Sequence, residues 1–98
     1  MTKTELIDLV AEKTDLTKKD TGEIVNTTID SIIEYLSDEA NKPEDSRDNV
    51  QIIGFGTFEV KDRSARKGRN PQTGEEITIP ARTVPVFRAG KTFKESVE

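Results

Sequence analysis

Residues 61–74, KDRSARKGRNPQTG, constrain this chain more than any other stretch. Lys61, Arg63, Arg66, Lys67 and Arg69 set five cations beside one anion, Asp62, within nine residues. The run then reaches Asn70-Pro71-Gln72-Thr73-Gly74. Pro fixes φ, Gly permits positive φ, and Asn and Thr bond locally, which is the punctuation of a hairpin turn. The stretch reads as an outgoing strand, a rigid tip and a return, projecting as an arm over 62–80. An exposed arm with no partner is a costly, protease-sensitive edge, so its cations point to a ligand.

The rest of the chain supplies a small body. Thr2-Lys3-Thr4-Glu5 is a capping box opening a helix whose buried stripe is Leu6, Ile7, Leu9 and Val10. Thr17-Lys18-Lys19-Asp20 opens a longer one. There Val25, Ile29, Ile32 and Leu36 recur at i, i+4, i+7 and i+11, widened by Ile24 and Ile33. The two form a helical hairpin over 1–37, with Gly22 early in the second helix suggesting close packing. Strand character follows at 50–53 and 57–60, around Gly54-Phe55-Gly56, and returns at 76–79 and 84–88. A short helix begins near Lys91 with Phe93 and Val97 facing inward. The expected class is α+β: a helical hairpin, a three-stranded antiparallel sheet over 50–88 that carries the arm, and a C-terminal helix over 90–98.

Residues 38–49, DEANKPEDSRDN, are acidic, contain a proline and lack periodicity. They read as a solvated, mobile loop, and deleting Glu39 through Arg47 is expected to leave folding nearly intact. Outside the loop and arm fewer than seventy residues remain to bury a core. With hydrophobic content of 32% and aromatics at 5%, that core is marginal alone, which favours an obligate oligomer.

Net charge is −4, and an acidic chain argues against a polyanionic partner. Its distribution reverses the inference. Residues 1–53 carry 6 basic and 13 acidic side chains, whereas 54–98 carry 9 basic and 6 acidic. A phosphate responds to charge within roughly a Debye length, ~8 Å at physiological salt, so the arm outweighs the sum. A cationic ribbon tipped by a rigid apolar ring suits the DNA minor groove, where cations neutralise phosphates and the ring wedges between base pairs.

Enzymatic chemistry has little to work with. The chain contains no histidine and no cysteine, which removes the commonest general base, nucleophile and metal ligand. Glu75-Glu76 is the only tight acidic pair near the turn and reads as a solvated strand end. Gly54-x-Gly56 precedes a strand, not a helix, so it is no dinucleotide loop. No metal and no cofactor is expected. No stretch approaches the ~20 apolar residues of a membrane span, and residues 1–13 lack a signal-peptide run, so the expectation is a soluble, cytoplasmic protein with no membrane partner.

Gly54-Phe55-Gly56-Thr57-Phe58, followed by Arg63, Arg66, Gly68, Asn70-Pro71 and Thr73 at these intervals, resembles the signature of bacterial histone-like DNA-binding proteins, the HU/IHF family, and is most like the HU type. The likeness runs from Lys3 to Lys94 and breaks mainly at 38–49, an insertion where the family makes its connection in a few residues. The resemblance implies an intertwined homodimer whose core includes Phe55, Phe58 and Phe87, and two arms embracing duplex DNA. It implies DNA contacts from Arg63, Arg66, Lys67, Arg69, Asn70, Pro71, Gln72 and Thr73 of the arm. Gly54 and Gly56 would approach phosphate, and a saddle of Lys3, Arg82, Arg88, Lys91 and Lys94 would add further contacts. Thr83, Glu75 and Thr78 stand where relatives often carry cations. The implied activity is non-sequence-specific binding and bending of double-stranded DNA for nucleoid compaction, favouring bent, nicked or junction DNA.

Other readings of the same residues remain. One is a sequence-specific heterodimer subunit of the integration-host-factor type. Another is a protein-interaction module whose basic hairpin docks on an acidic partner. RNA also stays among the ligands, because a cationic ribbon is not intrinsically selective.

Overall fold

Helix α1 (Lys3–Thr14) starts where Thr2 can cap it: the Thr2 hydroxyl accepts from the Glu5 amide at 3.2 Å and lies 3.2 Å from the Glu5 carboxylate. It ends at Asp15, whose φ of 59° is left-handed, a conformation that Asp tolerates better than most residues. Helix α2 (Lys18–Glu39) repeats the device, with the Asp20 amide donating to Thr17 Oγ1 at 3.1 Å. All of residues 1–98 are described by this computed structural model.

The chain packs as two units, Met1–Tyr35 and Leu36–Glu98. In the first, Ala11 and Thr21 are buried, the Thr21 hydroxyl donating to the Thr17 carbonyl at 2.8 Å, and Lys18 pairs with Asp8 at 3.5 Å. A Cβ added at Gly22 would stand 3.9 Å from the Ile7 methyls, an ordinary contact, so packing does not demand the glycine expected there. The apolar stripe of α2 is only partly covered. Leu36 is buried, but Ile24, Ile29 and Ile33 are exposed in the single chain.

In the second unit, β1 (Val50–Ile52), β2 (Gly56–Arg63) and β5 (Arg82–Ala89) form an antiparallel sheet in the order β1-β2-β5. A separate two-stranded ladder pairs β3 (Arg66–Arg69) with β4 (Glu76–Ile79), and α3 (Lys91–Val97) closes the chain. Phe58 pairs with Phe87 across the sheet with ring centroids 4.8 Å apart, and Phe55 stacks on Phe93 at 5.5 Å. Gly56 makes this possible, because a Cβ there would fall 2.5 Å from both the Arg88 carbonyl and the Phe87 ring. Phe93 joins the cluster as expected. Val97 does not: it is 74% exposed.

The acidic segment differs most from its sequence expectation. Helix α2 runs on through Glu39, two residues past the expected end of the hairpin, and Glu44–Ser46 form a short 3-10 turn. Glu39 is buried; its carboxylate accepts from the Asp48 amide at 2.6 Å and pairs with Lys42 at 2.6 Å. Lys42 first, then the Asp48 amide, hold its carboxyl below the usual carboxylate range. Composition concealed this. Arg47, the lone arginine of this acidic run, looks solvated in the sequence, yet its side chain is only 7% exposed, because the folded chain supplies acceptors for its guanidinium.

Candidate nucleic-acid interface

The arm stands on two kinds of ladder. The body ladder carries through Asp62↔Thr83 and Arg63↔Arg82, then stops; pairing resumes at Arg66↔Ile79 and ends at Arg69↔Glu76. Ser64-Ala65 and Pro80-Ala81 are the unpaired residues between, and Pro80 has no amide to donate to a rung. The arm expected over 62–80 is thus rooted in the body sheet to Arg63 and becomes an independent ribbon from Arg66.

Its tip is built by side chains. Asn70 N–H donates to the Glu75 carbonyl at 2.8 Å and Gly74 N–H to the Asn70 carbonyl at 2.7 Å, while Gly74 takes φ of 74°. Asn70 Oδ1 accepts from the Gln72 amide at 2.9 Å and Thr73 Oγ1 from the Glu75 amide at 3.2 Å, the local bonds that favour these residues in turns. Pro71, Gln72 and Thr73 are left exposed at the extremity.

Strand alternation sorts the cations. On the body sheet Lys61 and Arg63 share a face with Arg82 and Arg88, whereas Asp62 lies on the opposite face with Val60. At the arm base Arg63, Arg66 and Arg82 line one cleft of about 270 Å³ with Ser64, Ile79 and Pro80. Arg69 is not among them. Three residues beyond Arg66 on one strand, it falls on the other face of the ribbon and donates to the Gly74 carbonyl at 3.2 Å. The three evenly spaced arginines therefore split, two to the cleft and one to the tip. Lys67 sits on the Arg69 face, 3.4 Å from Glu76.

Other candidates are more dispersed. Lys91 pairs with Glu95 at 3.9 Å and Lys94 is exposed one turn on; Lys3 begins α1 in the first unit. Gly54 has φ of 87° in the β1–β2 turn with open space around it, but Gly56 is filled by its own sheet partners. Phe55, at 42% exposed, and Phe87, at 39%, leave the aromatic cluster half-open in one chain. Sequence reasoning missed Glu59. Its carboxylate, on the cationic face and only 9% exposed, contacts Arg88 and lies 3.6 Å from Lys61. Arg88 is therefore ion-paired, although its side chain stays 63% exposed. A carboxylate at alternation spacing from Lys61 was the available signal.

Asp62 was also underread. Its Oδ1 accepts from Arg47 Nη1 at 3.0 Å and from the Thr83 hydroxyl at 2.9 Å; Arg47, then Thr83, hold its carboxyl below the ordinary range. The one anion of the basic ribbon is thus neutralised on the back of the sheet.

The family model for bacterial DNA-binding proteins matches residues 1–98. The chain belongs to this family. It is 56% identical over 98 residues to DNA-binding protein HU-1 of Halalkalibacterium halodurans, covering all of both chains. It is 53% identical over 97 residues to DNA-binding protein HU 1 of Bacillus subtilis, covering 99% of this chain and 97% of the relative. Among solved structures it is similar to the Anabaena HU–DNA cocrystal structure, with a TM-score of 0.84 and 45% identity over 99% of this chain and 97% of that one. HU from Thermotoga maritima matches with a TM-score of 0.67 and 35% identity over the full length of both. The family's α+β fold is the fold described above.

Proposed function

We propose that this protein is an HU-type architectural factor: a homodimer that binds double-stranded DNA without sequence specificity, bends it, and so organises the bacterial nucleoid in the cytoplasm. It acts without catalysis. The observation that carries the reading is the arm-base cleft of Arg63, Arg66 and Arg82, leading to an exposed Pro71, in a chain that superposes over 99% of its length on an HU chain crystallised with DNA.

The geometry supports the following mechanism. Arg63, Arg66 and Arg82 neutralise phosphates along the groove wall, while Lys67, Arg69, the half-buried Asn70 and the exposed Gln72 and Thr73 contact the backbone and groove near the tip. Pro71, which bears no donor, presents an apolar ring that inserts between base pairs. Partial unstacking costs a few kcal/mol per step and is offset by the larger surface that bent DNA meets. Recognition is then by shape and deformability, which favours nicked, junction or already kinked DNA. The half-open Phe55 and Phe87, together with the exposed isoleucines of α2, support a second copy as the cover for both apolar surfaces.

A salt titration against linear, nicked and four-way-junction DNA, paired with ring closure of short fragments, tests the reading. Wild type should bind with a steep salt dependence, prefer the distorted substrates and promote closure. Pro71→Ala should keep the salt slope and lose most of the closure. Absence of duplex binding at low salt would refute DNA as the ligand, and tight binding to an acidic protein instead would support the interaction-module reading.

A further inference from the structure

We infer that residues 40–47 form a buttress for the arm, and that Arg47 is a positioning residue which fixes the arm's root from the back of the sheet. The Arg47 side chain is only 7% exposed although its segment is a surface connection. Its guanidinium donates in three directions. Nε donates to the Lys42 carbonyl at 3.0 Å, Nη2 to the Ala40 carbonyl at 3.0 Å, and Nη1 to Asp62 Oδ1 at 3.0 Å. The first two bonds fold the segment around the arginine; the third fastens it to β2.

The point of attachment is what gives the buttress a role. Asp62 and Thr83 are partners in the second-last rung before the body ladder stops, and the Thr83 hydroxyl donates to the same carboxylate oxygen. Segment, outgoing strand and returning strand therefore meet at one carboxylate beside the break at Ser64-Ala65 and Pro80-Ala81. A two-stranded ribbon has little stability of its own, so its direction is set by its root. Alternation places Asp62 on the face opposite Arg63 and Arg82. Arg47 thus reaches the root through Asp62, at the edge of a cleft it lines with Arg63, Ser64, Ala81 and Arg82, and it pairs with the one acid among residues 61–69. A single planar, permanently charged group that bridges two backbone carbonyls and a carboxylate is a task for arginine that lysine cannot duplicate.

The DNA part of this inference rests on the function proposed above; the buttress itself does not, so two readouts are used. Arg47→Gln removes a positive charge and Asp62→Asn removes a negative one. If these residues acted only through charge, the first would weaken DNA binding and the second would strengthen it. If they position the arm, both should lower ring closure of short DNA by about threefold or more, in the same direction. Hydrogen exchange reads the root without DNA. Amides of the rungs Asp62↔Thr83 and Arg63↔Arg82 should exchange roughly tenfold faster in both variants, with the amides of β1 unchanged. Arg47→Lys, which keeps the charge, should resemble Arg47→Gln. Thr83→Val, which removes one hydroxyl and no charge, should give a smaller change of the same sign and serves if the Arg47 variants unfold. Opposite shifts in closure for Arg47→Gln and Asp62→Asn, or unaltered exchange at the two rungs, would overturn the inference. Failure of wild type to bind DNA would instead refute the proposed function and leave the exchange measurement to decide the buttress.

Discussion

The body sheet and the arm are successive ladders of the same chain with opposite ways of holding together. In the body, the rung Phe58↔Phe87 lies within a cluster of four phenylalanines, and Gly56 is forced by the approach of Arg88 and Phe87. In the arm, the rungs join Arg66 to Ile79, Lys67 to Thr78 and Arg69 to Glu76, and most of these side chains are exposed. Packing holds the first, whereas turn bonds at the tip and a bonded carboxylate at the root hold the second. The contrast teaches that strand pairing here follows two logics: apolar burial fixes the body whether or not DNA is present, and the arm is kept in register at its two ends so that its middle stays free for a ligand.

The largest effect that could break this contrast is in the aromatic cluster. Phe55→Ala removes the ring stacked on Phe93 and should destabilise by about 3–5 kcal/mol, as large-to-small core changes do. Denaturant unfolding would measure this. Sedimentation should show the loss of the dimer as well; a folded wild-type monomer at micromolar concentration would refute the assembly.

The glycine pair sharpens the comparison at a lower magnitude. Gly56→Ala sets a methyl 2.5 Å from backbone in the body and should cost about 1–3 kcal/mol, the range for overpacking, or more if the sheet cannot shift. Gly68→Ala in the arm meets only side chains, the nearest being the tip of Ile79 at 3.2 Å, and should alter the melting temperature far less. Equal losses in thermal melts would mean that the arm is packed as tightly as the body.

For the arm the signature is in binding, not stability. Arg63→Ala and Arg66→Ala should each leave the melting temperature nearly unchanged, yet lower the salt slope of DNA binding by about 1.8, the value for a dimer that loses the two phosphate contacts proposed above. Arg88→Ala should change that slope less, because Glu59 already pairs with it, and the freed carboxylate should reduce affinity at low salt.

The smallest effect expected is acid sensitivity at the root. Arg47 and Thr83 depress the Asp62 carboxyl, and Lys42 depresses that of Glu39. A depressed carboxylate contributes stability above its unfolded pKa, and that contribution is lost as pH falls below roughly 4. The exchange difference between wild type and Asp62→Asn should thus be full at neutral pH and shrink toward pH 3.

Much of this was legible in the chain because it depends on neighbours in sequence. Thr2 and Thr17 cap their helices through residues three positions on. Asn70, Thr73 and Gly74 close the turn through bonds spanning five residues or fewer. The aromatic pair Phe58 and Phe87 was recognisable as packing, and the arginines as an arm, from residue type and order alone. The segment 38–49 was misread for the complementary reason: Arg47 fastens it to Asp62, fifteen residues away, and Asp62 is held in turn by Thr83, twenty-one residues further on.

By itself, then, the sequence determined the α+β class, the helix starts, the turn with Pro71 at its tip and the cationic character of the arm. Each of these follows from local dihedral preference, capping or charge density. Only the tertiary structure decided that Arg63 and Arg66 share a cleft while Arg69 does not, that Glu59 pairs with Arg88, and that Arg47 braces the arm root. Those outcomes depend on strand register and on which groups can satisfy a buried charge, and both are fixed by contacts between residues far apart in the chain.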